Sequence, residues 1–311
     1  MSATSSTVTE MAAQSVDPMA FREWMAPHVA AIRLFTSAVD DVLNEKQHPG
    51  TESVAMAEIA TEQNYKSRSA WEFPFTDTHS FAGATLRAAS DYARSFAELF
   101  AADRPPIYAQ FPVARAALEA AGVSAWLSEL GIAPLDRLKR GLCELLYSAN
   151  EVSSLELSDD SNQAVELWIG VADSFGWNVN NGRTKPVIDG TRRPRISESI
   201  SQLAGLSTSA RSGDLLFSRL SAADHVTWFG LTWAMDIKDA RRTSTSMLAT
   251  VPIGTTSKHV CTIAFYVVRS LRTAAATHFR FMGWTPANWA NASTSAEQLE
   301  ARLLGNALQD G

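Results

Sequence analysis

Residues able to move protons and bind phosphate stand together in Phe217-Ser218-Arg219-Leu220-Ser221-Ala222-Ala223-Asp224-His225. An imidazole such as His225 takes or gives a proton near neutral pH, and a guanidinium such as Arg219 steadies charge on phosphate. On a helix Ser221 and His225 share a face, while Arg219 lies about 120° round and about 9 Å along from His225, within reach of a bent guanidinium. The group suits metal-free cleavage of RNA through its own 2′-hydroxyl. Arg219 and His225 would be the catalytic pair, with Ser221 and Asp224 orienting the ring. The plainer reading of the same residues is a core histidine capped by Ser221 or Asp224. The Arg-to-His spacing recurs at Arg22 and His28 and at Arg272 and His278, so the neighbouring Ser and Asp distinguish the middle pair. His278 is expected to be a packed core residue.

Two more charged pairs share one spacing: Arg115 with Glu119, and Arg140 with Glu144. Residues four apart lie on one helix face, so two such pairs on consecutive helices can face one another as a cluster. A basic run follows in residues 178–195, with Arg183, Lys185, Arg192, Arg193 and Arg195 beside Asn-Asn-Gly, Asp-Gly and two Pro. That composition reads as a polar loop, either merely solvated or serving as an electrostatic guide for a phosphate-bearing ligand. Arg115, Glu119, Arg192 and Arg193 are therefore the candidate substrate-binding residues.

Neither metal nor cofactor is expected. The chain contains no GxGxxG, P-loop, HExxH or GxSxG motif, and its single Glu-x-x-His, Glu45 to His48, lacks the second copy that a ferritin-like di-metal bundle needs. Asp40-Asp41 is one Asp short of the aspartate-rich metal motif of helical isoprenoid enzymes, and reads as a solvated helix face. Cys143 and Cys261 lie in apolar surroundings without a Cys/His cluster, as buried thiols do.

The Arg219-to-His225 segment resembles the catalytic signature of the HEPN superfamily (higher eukaryotes and prokaryotes nucleotide-binding), helical bundles in which Arg precedes His by four to six residues near the start of a late helix. The earlier Pro112-Val113-Ala114-Arg115-Ala116-Ala117-Leu118-Glu119-Ala120 is similar to the ARxxxE helix of uncharacterised HEPN-like bacterial proteins, in which a Phe/Tyr-x-Arg-Leu-Ser…His segment follows about a hundred residues later, as here. The resemblance spans residues 78–235. It implies RNA or a nucleotide as partner, a metal-independent ribonuclease of a defence or toxin system, and a homodimer whose two Arg219–His225 sets line one cleft. Active members carry a polar residue directly after the Arg, where this chain has Leu220. A bundle without nuclease activity is thus an equal expectation. Two other readings stand beside it: a non-enzymatic helical protein that binds a protein partner or ligand, and an enzyme of specialised metabolism with an apolar helical pocket.

The elements that must position these residues are helices. Asp17-Pro18 supplies an N-cap and a proline at N1 for a helix to residue 45. Apolar residues at helical spacing predict further helices over residues 80–102, 109–130, 135–155, 164–175, 196–206, 213–233 and 257–281. Asp77 or Thr78 is the expected cap of the second of these long helices. Short helices are expected at residues 54–63, 245–248 and 296–308, and an extended piece at Val251-Pro252-Ile253-Gly254. No alternation of strand and helix appears. The expected fold is all-α, a single large helical bundle over residues 18–285 with extra helices at both ends. Residues 1–17 read as a disordered tail, and residues 286–311 as a polar C-terminal tail with a short helix; Trp284 and Trp289, in the Gly/Pro-rich end of the chain, could close a pocket or form a partner surface.

The length of 311 residues is ample for such a core, and 46% hydrophobic with 19% charged residues is a globular composition. A net charge of −6 excludes a broadly basic nucleic-acid binder and leaves room for a local patch. Residues 1–14 lack a basic region followed by an apolar stretch, and no apolar run approaches the about 20 residues of a membrane span. A cytoplasmic protein with no membrane contact is expected.

Overall fold

In the computed structural model the described residues are 18–66, 70–102, 106, 108–154, 159–182, 185–205, 210–225 and 257–309. They form α1 (Pro18–Glu45), α2 (Val54–Ala60), α3 (Gln63–Lys66), α4 (Pro74–Ala101), α5 (Gln110–Leu127), α6 (Pro134–Ser154) and α7 (Asp159–Ser174). Three strands follow, β1 (Val179–Gly182), β2 (Lys185–Ile188) and β3 (Thr191–Arg192). Then come α8 (Ile196–Leu203), α9 (Ala210–Asp224), α10 (Ser257–Met282) and α11 (Ala287–Gln309). The fold of the described residues is all-α, with a small sheet. Residues 1–17, the expected helix at 245–248 and the expected extended piece at 251–254 lie outside the described residues.

Apolar side chains three and four apart put one face of each long helix into a shared interior. On α1 these are Met25, Val29, Ile32, Phe35, Val39 and Val42; on α4, Leu86, Ala89, Ala93, Phe96 and Phe100. With α5, α8, α9, α10 and α11 they form the main core. A second core joins α6 and α7 to the strands and to the start of α4 through Leu138, Leu142, Leu146, Val171, Trp177 and Ile188. Gly141 on α6 lets α4 approach: a Cβ there would sit 2.2 Å from Thr78 Oγ1.

Three features differ from the sequence expectation. First, residues 178–195 are not a loop but largely an antiparallel meander, with Val179 opposite Ile188 and Ile188 opposite Thr191. The sheet has three short strands, where a sheet of no more than two was expected. Asp189 and Gly190 both adopt positive φ, 45° and 80°. That is the conformation of the tight hairpin turn that Asp-Gly favours, because its twist matches the strands. Second, α4 begins at Pro74, and neither Asp77 nor Thr78 caps it. Glu62 does so from outside the helix: its Oε1 accepts from the backbone N–H groups of Phe75 and Thr76, each at 2.9 Å, and its Oε2 accepts from Thr76 Oγ1. Asp77 instead accepts from Trp71 Nε1. Third, α11 begins at Ala287 rather than near residue 296, and it is no tail. Its Ala296, Leu299 and Leu303 belong to the main core. Trp289 stands edge-on to Phe279 at 4.9 Å, and Trp284 donates to the His48 carbonyl. Both tryptophans are therefore packing residues.

A charged cluster lies inside the bundle. Arg137 of α6 is 0% exposed. Its Nε donates to both carboxylate oxygens of Glu58 on α2 at 3.0 Å. Its Nη1 donates to the Leu127 carbonyl at the end of α5, and its Nη2 to the Glu129 carbonyl. Its plane lies 4.2 Å from the Phe281 ring on α10. His79 of α4 completes the cluster through Nε2 and Glu58 Oε2 at 2.8 Å. A carboxylate only accepts, so Nε2 carries the proton; burial lowers the pKa of this ring and keeps it neutral. Nearby, His278 meets Ser128 Oγ at 2.8 Å through Nδ1, and burial pushes its pKa down to about 3.

Replacing Arg137 by Met leaves the Glu58 carboxylate buried without its cation and the end of α5 without its donors. The expected loss in a denaturant melt is about 3–5 kcal/mol. A loss under about 1 kcal/mol, the range of a surface pair, would show that the cluster does not hold the bundle.

Candidate functional site

The strands bring the basic run against α5, α6 and α9. A pocket of about 520 Å³ opens there, within the range usual for small-molecule sites. Its charged lining comprises Lys185 from β2, Arg192 from β3, Arg193 and Arg195 from the segment entering α8, Glu119 from α5 and Glu151 from α6. Tyr147 and Phe217 supply aromatic surface. The rim is ordered by Glu198 of α8, which accepts from Arg192 through both guanidinium nitrogens at 2.9 and 3.1 Å and from the Arg195 backbone N–H at 2.8 Å. Lys185, Arg192 and Arg195 are exposed.

Arg193 stands behind them, half-buried, and joins the helices. Its Nη2 donates to Glu119 Oε1 at 3.1 Å, its Nε lies 3.2 Å from Glu144 Oε1, and its plane covers the Tyr147 ring at 4.3 Å. Glu144 is 3% exposed, and its Oε1 accepts no hydrogen bond. Burial raises its carboxyl to about 7 against the pull of Arg193, and Glu119 pushes in the same direction as burial. The adjoining Cys143 thiol is pushed up to about 12 by burial, and its Sγ lies 3.4 Å from the Thr191 carbonyl. Beyond Arg193 a second groove of about 320 Å³ is lined by Phe81, Tyr92, Glu119, Glu144 and Arg193 among others.

Of the residues singled out in the sequence, Glu119, Arg192 and Arg193 line one pocket, and the Arg115 guanidinium lies 5.3 Å from the ring of Phe217, another lining residue. Arg140 and Glu144 do not pair. Arg140 turns to Glu129 and the Trp126 carbonyl, and Glu144 turns to Arg193. The two helical pairs do converge, through Glu119 and Glu144, but a residue from the strand segment bridges them. Arg219, Ser221 and His225 are not among the described residues that line this pocket. Arg219 and Ser221 are half-buried on α9, and Leu220 between them is a core residue. His225 is exposed in the turn that ends α9, where its backbone N–H donates to the Ser221 carbonyl at 2.9 Å. It is not a core histidine. The Asp224 side chain lies outside the described residues. His278 is the buried histidine that its apolar helix suggests.

The sequence reading missed Tyr147 and Phe217 as lining residues and Glu144 as a titrating group. Aromatic residues on amphipathic helices carry no mark that separates a pocket wall from a core. The burial of Glu144 follows from strands that were read as a loop. Among the described residues no group of three or more His, Cys, Asp or Glu is placed to hold a metal ion, and no helix is long and apolar enough to cross a membrane. No protein-family model, curated protein or solved structure matches the chain.

The raised pKa of Glu144 has a sign that can be measured. The folded form binds a proton more tightly than the unfolded one, so this group's contribution to stability is full below about 4.5 and is lost as pH rises through about 7. Relative to Glu144→Gln, the wild type should therefore gain stability as pH falls from 8 to 5. Urea melts across that range check it; a constant difference would mean that Glu144 titrates as an ordinary carboxylate.

Proposed function

We propose that this protein binds a small phosphate-bearing ligand of nucleotide size in the pocket at Arg193. The observation that carries this reading is the convergence of Lys185, Arg192, Arg193 and Arg195 on one concave site in a chain of net charge −6. Positive charge concentrated in a cleft of an acidic protein focuses attraction on anions. Guanidinium forks match phosphate oxygens two at a time. Tyr147 and Phe217 offer faces against which a base or other flat group can stack. The resemblance to nucleotide-binding helical bundles agrees with this ligand class.

Binding of adenosine 3′,5′-cyclic monophosphate and the four common nucleoside 5′-monophosphates, measured by calorimetry at low salt, tests the reading. At least one should bind, more weakly as salt rises, and Lys185→Glu with Arg195→Glu should weaken it by at least about tenfold, or about 1.4 kcal/mol. Both residues are exposed, where substitutions shift stability by no more than about 0.5 kcal/mol each, so the variant is expected to fold. No binding by any of the five at millimolar concentration overturns the proposal.

A second reading keeps the HEPN-like ribonuclease, with Arg219 and His225 catalytic and Ser221 and Asp224 orienting. The exposure of His225 favours it, since a ring in solvent can reach a substrate. A dimer would bring two such sets to one RNA strand. His225→Ala should then abolish cleavage of single-stranded RNA, and chelator should leave wild-type cleavage intact. The melting temperature should barely move, because substitutions at exposed positions shift stability by no more than about 0.5 kcal/mol. Clean wild-type protein without cleavage retires this reading.

A further inference from the structure

We infer that the Arg193 pocket takes up its anion together with a proton, and that Glu144 is the group that receives it. The inference rests on the ligand reading above and concerns the same site.

The geometry sets up a charge imbalance. Two carboxylates, Glu119 and Glu144, approach one guanidinium, that of Arg193, at 3.1 and 3.2 Å. With all three ionised the trio carries one excess negative charge. Arg193 also lines the ligand pocket, so an anion seated there draws on the same cation and adds negative charge beside both carboxylates. The least costly response is for one of them to take a proton.

Glu144 is that one. Glu119 is 31% exposed at its side chain and accepts a formed hydrogen bond from Arg193 Nη2, so water and the guanidinium both support its charge. Glu144 is 3% exposed at its side chain, and its Oε1 lies beside Arg193 Nε without a hydrogen bond. A carboxylate with neither water nor a donor at that oxygen depends on the Coulomb attraction of Arg193, which is what the ligand shares. Its raised pKa, about 7, agrees with a group already close to neutralisation.

The other groups around Glu144 do not compete for the proton. From its own helix, Tyr147 and Cys143 have their pKa values raised, mainly by burial, and are protonated already at neutral pH. Glu151, farther along the same helix, is exposed. Tyr92 of α4 lines the groove on the far side of Arg193. From α5 and the strand segment come Glu119 and Arg193 themselves. Ligand binding therefore raises the pKa of Glu144 above about 7. Affinity is highest below that pH and falls as pH rises from it toward the bound-state value.

The probe is adenosine 3′,5′-cyclic monophosphate, whose phosphodiester and base do not titrate near neutral pH, so any proton exchanged belongs to the protein or the buffer. Calorimetry in PIPES and in Tris, which differ in ionisation enthalpy, gives the number of protons taken up per ligand. Wild type should take up about half a proton at pH 7 and more at pH 8. Glu144→Gln should take up none and should show an affinity that no longer varies with pH. Glu119→Gln removes the neighbouring negative charge and should move maximal uptake to lower pH; its half-buried position keeps the test open if the substitution at the fully buried Glu144 unfolds the chain. Binding without proton uptake by wild type overturns the inference and leaves the ligand reading standing. Binding with uptake that persists in a folded Glu144→Gln assigns the proton elsewhere and also overturns it. Absence of binding to this nucleotide and to the four monophosphates overturns the ligand reading, and the inference with it.

Discussion

The ion pair between Glu58 and Arg137 is the constraint on which the bundle turns. Removing two charges from water is costly, and the cost is offset only when every donor and acceptor finds a partner. Arg137 meets that condition by donating to a carboxylate from α2 and to two carbonyls at the end of α5, with the Phe281 ring against its face. These contacts come from three segments besides its own helix, so the guanidinium is satisfied only when α2, α5, α6 and α10 are all in place. His79 adds α4 through the same carboxylate. Hydrophobic faces can slide with little penalty, whereas a buried charge network tolerates one arrangement. That is why we regard it as setting the register of the helices rather than adding greatly to net stability.

The candidate site inherits this precision. Glu119 and Glu144 lie about two helical turns from the points where Arg137 ties α5 to α6. Gly141, against Thr78, brings α6 close to α4 along the same stretch. The two carboxylates are thus held at a separation that one guanidinium can span. The strand meander then delivers Arg193 between them, its short turn at Asp189-Gly190 leaving little slack. A rigid helical frame with a charged strand segment laid across it is a sound arrangement for a binding site, because the cations of the rim need no reorganisation to meet an anion.

Two buried titratable groups act on stability in opposite directions. His278, held near 3, withdraws stability as pH falls below its ordinary value of 6.5. Glu144, held near 7, withdraws it as pH rises above 4.5. Between these limits their contributions oppose one another. Burial of His278 and its neighbour His79 in the bundle interior thus withdraws stability toward acid pH, and burial of Glu144 at the site withdraws it toward neutral pH. The same burial physics serves structure in one place and supplies a proton acceptor in the other.

The sequence by itself determined the helices and their inward faces, since a period of 3.6 residues is a local property that needs no partner to be legible. It marked residues 178–195 as basic and turn-rich, and Glu119, Arg192 and Arg193 as candidate ligand-binding charges. It did not determine where charges meet. Arg140 and Glu144 satisfy the spacing of a helical pair, yet each is drawn to a partner from another segment, because a buried or bridging contact outweighs the few tenths of a kcal/mol of an exposed one. The cap of α4 comes from Glu62 rather than from Asp77, and the start of α11 is set by packing of Trp289 against Phe279. Nothing local distinguishes Glu144 from any other glutamate; only the walls that exclude water from it make it titrate near neutrality. Burial and long-range pairing are sums over the whole fold, and so the tertiary structure alone decided which of the legible residues form a site.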